Sequence, residues 1–100
     1  MQVIFTPLAV RQIEGLHEYI AAHSSEKRAD GYVKRIVAFC EGLTTFPFRG
    51  TQRNDLLPGL RVIGFERRAT IAFVVTESVI LVEGIFYAGR DFEMIFRDRK

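Results

Sequence analysis

Hydrophobic residues recur at helical spacing through the first half of the chain. A short apolar run, Val3-Ile4-Phe5, stops at Thr6-Pro7, where threonine suits a helix N-cap and proline suits the first helical turn. Apolar residues then line one helical face at Ala9, Ile13, Leu16 and Ile20. A second run follows Ser24-Ser25 at Ala29, Val33, Ile36, Cys40 and Leu43. The pattern predicts a strand and then two antiparallel helices joined by a tight turn.

The second half changes to β-branched and aromatic residues. Residues 44–59 contain prolines and glycines, so they are expected to form a long connecting loop. The runs after this loop predict three strands, at residues 60–65, 70–76 and 79–87. Because the links between them are short, neighbouring strands must be antiparallel. Phe92, Ile95 and Phe96 share one helical face, which predicts a last short helix with Asp91 as its cap.

These elements predict one α+β domain, since 100 residues leave no length for a second core. The expected architecture is an N-terminal strand and a two-helix antiparallel hairpin, packed on a mainly antiparallel sheet of about four strands and followed by the short C-terminal helix. Glu83 alternates with apolar neighbours in the last strand. It is expected on the outer sheet face or paired across strands with Arg61 or Arg67.

The net charge of +2 is too small to indicate a nucleic-acid binder, but the positive charge is unevenly distributed along the chain. Several arginines cluster in the middle of the chain: Arg49, Arg53, Arg61, Arg67 and Arg68. Arginine pairs bidentately with carboxylate or phosphate, so they predict a basic surface for an acidic or phosphorylated partner. Ordinary surface arginines in weak ion pairs explain the same residues equally well.

Several kinds of chemistry find no support in the sequence. Cys40 is the single cysteine and falls on the apolar stripe of the second helix, which predicts a buried small hydrophobe and excludes an intrachain disulfide. His17 and His23 lie six residues apart on different helix faces, so no metal site is expected. No glycine-rich phosphate motif and no membrane-spanning apolar stretch occurs. We therefore expect a cytoplasmic protein without a cofactor and without membrane contact.

The order of elements and several motifs resemble the ParE branch of the RelE/ParE toxin superfamily, over nearly the whole chain. The motifs are Phe46-Pro47, Arg49-Gly50, Pro58-Gly59-Leu60-Arg61, Phe65-Glu66-Arg67-Arg68 and Gly89-Arg90-Asp91-Phe92-Glu93. The resemblance implies a toxin of a type II toxin–antitoxin system. Within this one fold, RelE-like members cleave mRNA on the ribosome and ParE-like members poison DNA gyrase, so the choice must come from the site.

RNA cleavage requires groups that transfer protons and stabilise the phosphate in the transition state. The RelE nucleases resemble one another in having two basic residues on the second strand, an arginine opening the third, an arginine ending the fourth and a tyrosine on the C-terminal helix. An ungapped match places Arg61 and Ile63 at the two basic positions, Thr70 at the arginine of the third strand, Arg90 at that of the fourth, and Phe96 at the tyrosine. Phenylalanine cannot transfer a proton, so the resemblance favours gyrase inhibition without catalytic residues. The alternative is an endonuclease that uses Arg61, Arg68, Tyr87 and Arg90.

The resemblance also implies two partners. A ParD-like antitoxin with an acidic, partly disordered tail is expected to neutralise the toxin, and DNA would be contacted only through that antitoxin. The candidate antitoxin-binding residues are Arg49, Arg53, Leu57, Arg61, Arg67 and Arg68. Apolar neighbours join the same interface or close the core beneath the loop: Phe46, Phe48, Leu56 and Leu60.

DNA gyrase is the expected target. The candidate target-binding residues lie in the C-terminal segment: Arg90, Phe92, Glu93, Phe96, Arg97 and Arg99. A third hypothesis is a binding module that has lost its toxicity and only supports its partner in repression.

Overall fold

The computed structural model describes residues 1–87 and 92–98. Its strands are β1 (Gln2–Phe5), β2 (Thr51–Gln52), β3 (Leu60–Phe65), β4 (Ala69–Val75) and β5 (Val79–Tyr87). Its α-helices are α1 (Pro7–His23), α2 (Glu26–Glu41) and α3 (Phe92–Asp98), and a single 3-10 turn covers Gly42–Thr44. The predicted α+β order is confirmed. The predicted cap of α3, Asp91, lies outside the described residues.

Local capping explains where the two long helices begin. The Thr6 hydroxyl oxygen accepts a hydrogen bond from the backbone N–H of Ala9, and Pro7 occupies the first helical position. The Ser25 hydroxyl oxygen accepts one from the backbone N–H of Arg28. Each cap satisfies an amide that the helix itself leaves without a partner. Only Ser24 and Ser25 separate α1 from α2, which makes the helix hairpin tight.

The sheet has five strands in the order β1-β5-β4-β3-β2, so the expected count of about four is slightly low. β1 lies parallel to β5, and the other neighbours are antiparallel. The additional strand, β2, has only two residues and lies inside the segment predicted as a loop. Its pairing places Thr51 opposite Val62 and Gln52 opposite Arg61. A strand this short carries no alternation that the sequence could reveal.

Two hydrophobic clusters lie on opposite faces of the sheet. The larger cluster fills the space beneath the helix hairpin and includes Leu16, Ile36, Cys40, Ile71 and Phe73. Burial raises the pKa of the Cys40 thiol to about 12, as expected for a cysteine that serves as a small hydrophobe. The smaller cluster lies on the other face and consists of Leu56, Leu60, Ala72, Phe86 and Phe96. Both sheet faces are therefore covered, the second one by α3 and the loop before β3.

A β-bulge interrupts the pairing of β4 with β5. Ala72 lies opposite Gly84 and Phe73 lies opposite Val82, so Glu83 is the extra residue. Glu83 is buried, which contradicts the expected place on the outer sheet face. The bulge breaks the alternation of side chains on which that expectation depended. Among the described residues, none of the helices has the length and apolar character that crossing a bilayer requires.

Candidate functional site

The C-terminal helix α3 is held on the sheet by two aromatic side chains. Phe96 is 1% exposed, and its ring packs edge-on against Phe86 at a centroid distance of 5.9 Å. Phe92 contacts Phe86 as well, at 6.0 Å. Phe92 and Phe96 are four residues apart and thus lie on one helical face. Phe96 therefore anchors the helix and is not itself exposed to a partner.

Arg53 forms a second attachment for α3. Its Nη1 donates a hydrogen bond of 3.1 Å to Glu93 Oε1, and its guanidinium lies 5.7 Å from the centre of the Phe92 ring. Two further hydrogen bonds, of 3.0 and 2.8 Å, connect the same guanidinium to the Asp55 carboxylate. Hydrogen bonds from Arg53 lower the pKa of Asp55 to about 2 and hold the pKa of Glu93 below its ordinary value. The Arg53 side chain is only 22% exposed.

The opposite side of α3 is exposed, and we call it the α3 outer face. It comprises Met94, Ile95 and Arg97, with Met94 62% exposed. Of the candidate target-binding residues, Arg97 lies on this face, whereas Phe92, Glu93 and Phe96 attach the helix. Met94 and Ile95 were not among those candidates. Arg90 and Arg99 lie outside the described residues.

Two phenylalanines project from the segment between α2 and β2. Phe46 is 70% exposed and Phe48 is 71% exposed. The Arg61 guanidinium lies 5.3 Å from the Phe48 ring centre and donates a hydrogen bond of 3.4 Å to the backbone oxygen of Arg49. Arg49 in turn donates to the Gly42 carbonyl at 3.1 Å. We call these four residues, Phe46, Phe48, Arg49 and Arg61, the aromatic patch.

The candidate antitoxin-binding residues therefore occupy three places and do not form one surface. Arg49 and Arg61 belong to the aromatic patch, and Arg53 attaches α3. Arg67 and Arg68 lie on the turn between β3 and β4, where both are exposed. Of the apolar candidates, Leu56 and Leu60 are fully buried, and Leu57 is partly buried against the smaller cluster. Leu56 and Leu60 therefore close the core beneath the loop, whereas Phe46 and Phe48 are exposed.

The alternative catalytic residues are also separated. Tyr87 lies opposite Ala69, so it is close to Arg68 at the turn end of β4. Arg61 lies four residues before the end of β3, about 13 Å away along the strand. Arg90 lies outside the described residues. Within residues 1–87 and 92–98, no three His, Cys, Asp or Glu side chains come together as metal ligands.

Comparison with known proteins places these features in a family. The sequence profile of the ParE toxin of type II toxin–antitoxin systems, parDE, matches residues 3–92. A solved structure of the chromosomal ParDE toxin–antitoxin system from P. aeruginosa has a similar fold, with a TM-score of 0.76 and 21% sequence identity. That match covers 88% of this chain and 96% of the other. The comparison with proteins of curated function gave no significant match. The chain belongs to the ParE family of toxins of type II toxin–antitoxin systems.

Proposed function

We propose that this ParE-family toxin arrests growth by binding and inhibiting DNA gyrase in the cytoplasm, and that a ParD-like antitoxin neutralises it. The observation that carries the proposal is the α3 outer face. Met94 and Ile95 present an apolar surface on a helix whose other side is fixed by Phe96, and Arg97, whose Nη2 donates a hydrogen bond of 3.4 Å to Glu93, lies beside them. An exposed apolar group beside a cation is typical of a protein-binding surface.

A binding mechanism explains the arrangement better than nuclease chemistry does. Phe96 replaces the tyrosine of the nuclease pattern and is buried. Ile63 packs against the core, and Arg61 lies far from Arg68 and Tyr87. Proton transfer in catalysis needs groups within hydrogen-bond reach of one reacting phosphate, and these side chains are too far apart for that. Inhibition by surface contact needs no such convergence.

The antitoxin would bind the aromatic patch. Two exposed phenylalanines offer large apolar area at small entropic cost, and Arg49 and Arg61 beside them attract an acidic segment. The adjoining strand β2 pairs with β3, and no further strand pairs with it among the described residues. A disordered acidic tail that folds upon this edge would bury both phenylalanines. DNA would be contacted only through the antitoxin.

Supercoiling of relaxed plasmid by purified gyrase is the primary assay. We expect the purified toxin to inhibit supercoiling, and a ParD-like antitoxin that binds it to restore activity. Full gyrase activity at a large molar excess of toxin would overturn the gyrase part of the proposal. Primer extension on translated messages distinguishes the alternative, because transcript cleavage in the absence of gyrase inhibition would identify an endonuclease. Absence of growth arrest on expression would identify a non-toxic binding module.

Two matched variants separate the two surfaces. Met94→Ser is expected to weaken gyrase inhibition and to leave antitoxin affinity unchanged. Phe48→Ser is expected to weaken antitoxin binding by roughly tenfold or more and to leave gyrase inhibition unchanged. Both residues are exposed, so neither change should unfold the domain. If each variant affected both activities equally, the assignment of partners to separate surfaces would be wrong.

A further inference from the structure

A cleft of about 750 Å³ lies where the α1–α2 connection meets the turn between β3 and β4. Its walls come from the end of α1, the first turns of α2, Arg68 on the β3–β4 turn and Tyr87 at the end of β5. We call it the hairpin cleft. It is separate from both the α3 outer face and the aromatic patch, and its volume suits a small organic ligand.

Unpaired positive charge surrounds the hairpin cleft. Lys27, Arg28 and Arg68 line it, and none of them has an ion-pair partner in the part of the chain that the structure describes. A fourth cation, Arg35, is neutralised by a bidentate pair with Glu66, at 2.8 and 3.0 Å. No acidic side chain is found among the described lining residues. The N-terminus of α2, with Glu26 in its first turn, and the C-terminus of α1 meet at the same place, so their partial charges are of opposite sign.

One residue of the cleft lining carries a buried hydroxyl without a partner. Tyr32 lines the cleft, is 8% exposed, and its hydroxyl has no hydrogen-bond partner among the described residues. Burial is the main cause that raises the Tyr32 pKa to about 12, so the group keeps its proton near neutral pH. A buried polar group without a partner is rare in native proteins, because it loses its hydrogen bonds to water without compensation. Tyr32 therefore offers a hydrogen-bond donor close to positively charged side chains, a combination that suits an anionic ligand.

Aromatic rings complete the lining. Tyr19 and His23 stack on each other at 4.2 Å between ring centroids, and both are exposed at the rim. The Tyr87 ring packs edge-on against Tyr19 and Tyr32, at 6.1 and 5.6 Å. Exposed rings beside cations form the kind of surface on which a nucleobase stacks while its phosphate meets arginine.

We propose that the hairpin cleft binds a phosphorylated ligand of mononucleotide size. Arg28 and Arg68 hold the phosphate, the Tyr32 hydroxyl donates a hydrogen bond to it, and the Tyr19–His23 pair contacts the remainder of the ligand. Because the hydroxyl is covered in the unliganded chain, binding shifts a neighbouring exposed side chain to reach it. The inference does not depend on gyrase being the target.

Calorimetric titration with three probes tests the chemistry: AMP, inorganic phosphate and adenosine. Binding of AMP without binding of adenosine supports a phosphate-directed site. Binding of inorganic phosphate as tightly as AMP would contradict the mononucleotide size of the ligand and its contact with the Tyr19–His23 pair. Adenosine binding as tightly as AMP, or absence of binding by all three probes, would overturn the proposal.

Variants assign the roles. Tyr32→Phe is expected to weaken AMP or phosphate binding roughly fivefold, and Arg28→Gln and Arg68→Gln about tenfold each. Lys34→Gln is the matched control, since Lys34 is exposed on α2 and does not line the cleft. Tyr32→Phe should not lower the thermal midpoint in phosphate-free buffer, because the hydroxyl has no partner to lose. Equal affinity in the wild type and Tyr32→Phe would contradict the site as described.

Discussion

Phe96 fixes the C-terminal helix, and its replacement by alanine measures how strongly α3 is attached. A buried aromatic side chain removes roughly 150–250 Å² from water, which corresponds to about 4–6 kcal/mol of transfer free energy. Alanine keeps part of that contact. Phe→Ala changes at buried sites accordingly lower the free energy of unfolding by about 3–5 kcal/mol, and Phe96 is 1% exposed. We expect Phe96→Ala to fall in this range.

The neighbouring residue supplies the control. Ile95 lies on the same short helix but is 37% exposed, so Ile95→Ala should lower the free energy of unfolding by less than about 1 kcal/mol. Urea unfolding followed by circular dichroism gives both values. With a denaturant slope of roughly 1.5 kcal/mol per molar urea, Phe96→Ala should lower the midpoint by about 2–3 M.

Local unfolding of α3 would limit how far Phe96→Ala lowers the stability of the rest of the domain. A helix of seven residues is not stable alone in water, so a weakened α3 can unfold while the rest of the domain remains folded. Hydrogen exchange then shows protection lost within Phe92–Asp98 and retained in β4. Equal urea midpoints and equal exchange in Phe96→Ala and Ile95→Ala would refute the assignment of Phe96 as the anchor.

Three further predictions concern the polar attachment of α3 and the turns. Arg53→Gln should lower the free energy of unfolding at pH 7 and have little effect near pH 2. The ion pair with Arg53 lowers the pKa of Asp55 to about 2, so its stabilisation is complete above the unfolded pKa near 4 and is lost as the pH falls toward 2. Urea midpoints of both proteins measured across pH check this, and a difference that does not change with pH would contradict it. Gly50→Ala should lower the free energy of unfolding more than Gly59→Ala does. Both glycines have φ of +81°, where a side chain causes backbone strain of roughly 1–2 kcal/mol, but a Cβ at Gly50 would also lie 2.4 Å from a backbone oxygen of β3. Equal losses in thermal unfolding would refute the clash. Arg67→Gly should raise stability by about 0.5 kcal/mol, since Arg67 has φ of 63°, and a lower thermal midpoint would contradict this.

Local signals made the helices and the three long strands predictable. Thr6 and Ser25 cap their helices through their own side chains, so the bonds that begin each helix are set within three residues. Short links between β3, β4 and β5 permit only an antiparallel arrangement. These features depend on neighbours in the sequence, and the predicted bounds of β3 and β5 agree with the structure residue for residue.

Two other features depend on distant residues and were missed for that reason. The pairing of Thr51–Gln52 follows from Gly50, whose positive φ brings the backbone close to β3. Nothing in the two residues themselves predicts a strand. The bulge at Glu83 is a mismatch of register between β4 and β5, so it becomes visible only when both strands are aligned.

The residues of the candidate site were predicted by type better than by place. Helical spacing correctly gave Phe92 and Phe96 a common face, but it also placed Ile95 there, and Ile95 is exposed. It could not show which side of α3 the sheet would cover, because the partner aromatic, Phe86, comes from β5. Met94 and Ile95 were overlooked as exposed residues for the same reason. The spacing of Phe92 and Phe96, four residues apart, together with the aromatic Phe86 in the preceding strand, was the signal that could have predicted which side of α3 is buried.

The arginines show why a cluster of charge in the sequence does not predict a cationic surface. Arg53 is neutralised by two carboxylates and also lies over a ring, whereas Arg61 contacts a backbone oxygen and a ring, which carry no charge. Hydrogen bonds inside the chain use the same planar donors that would bind a partner's carboxylate or phosphate, so an arginine with internal carboxylate partners contributes less to recognition. Arg28 and Arg68 have no ion-pair partner among the described residues, although Arg28 lies outside the central cluster. Two of the unpaired cations at the hairpin cleft, Lys27 and Arg28, thus come from α2 and not from the central arginine cluster.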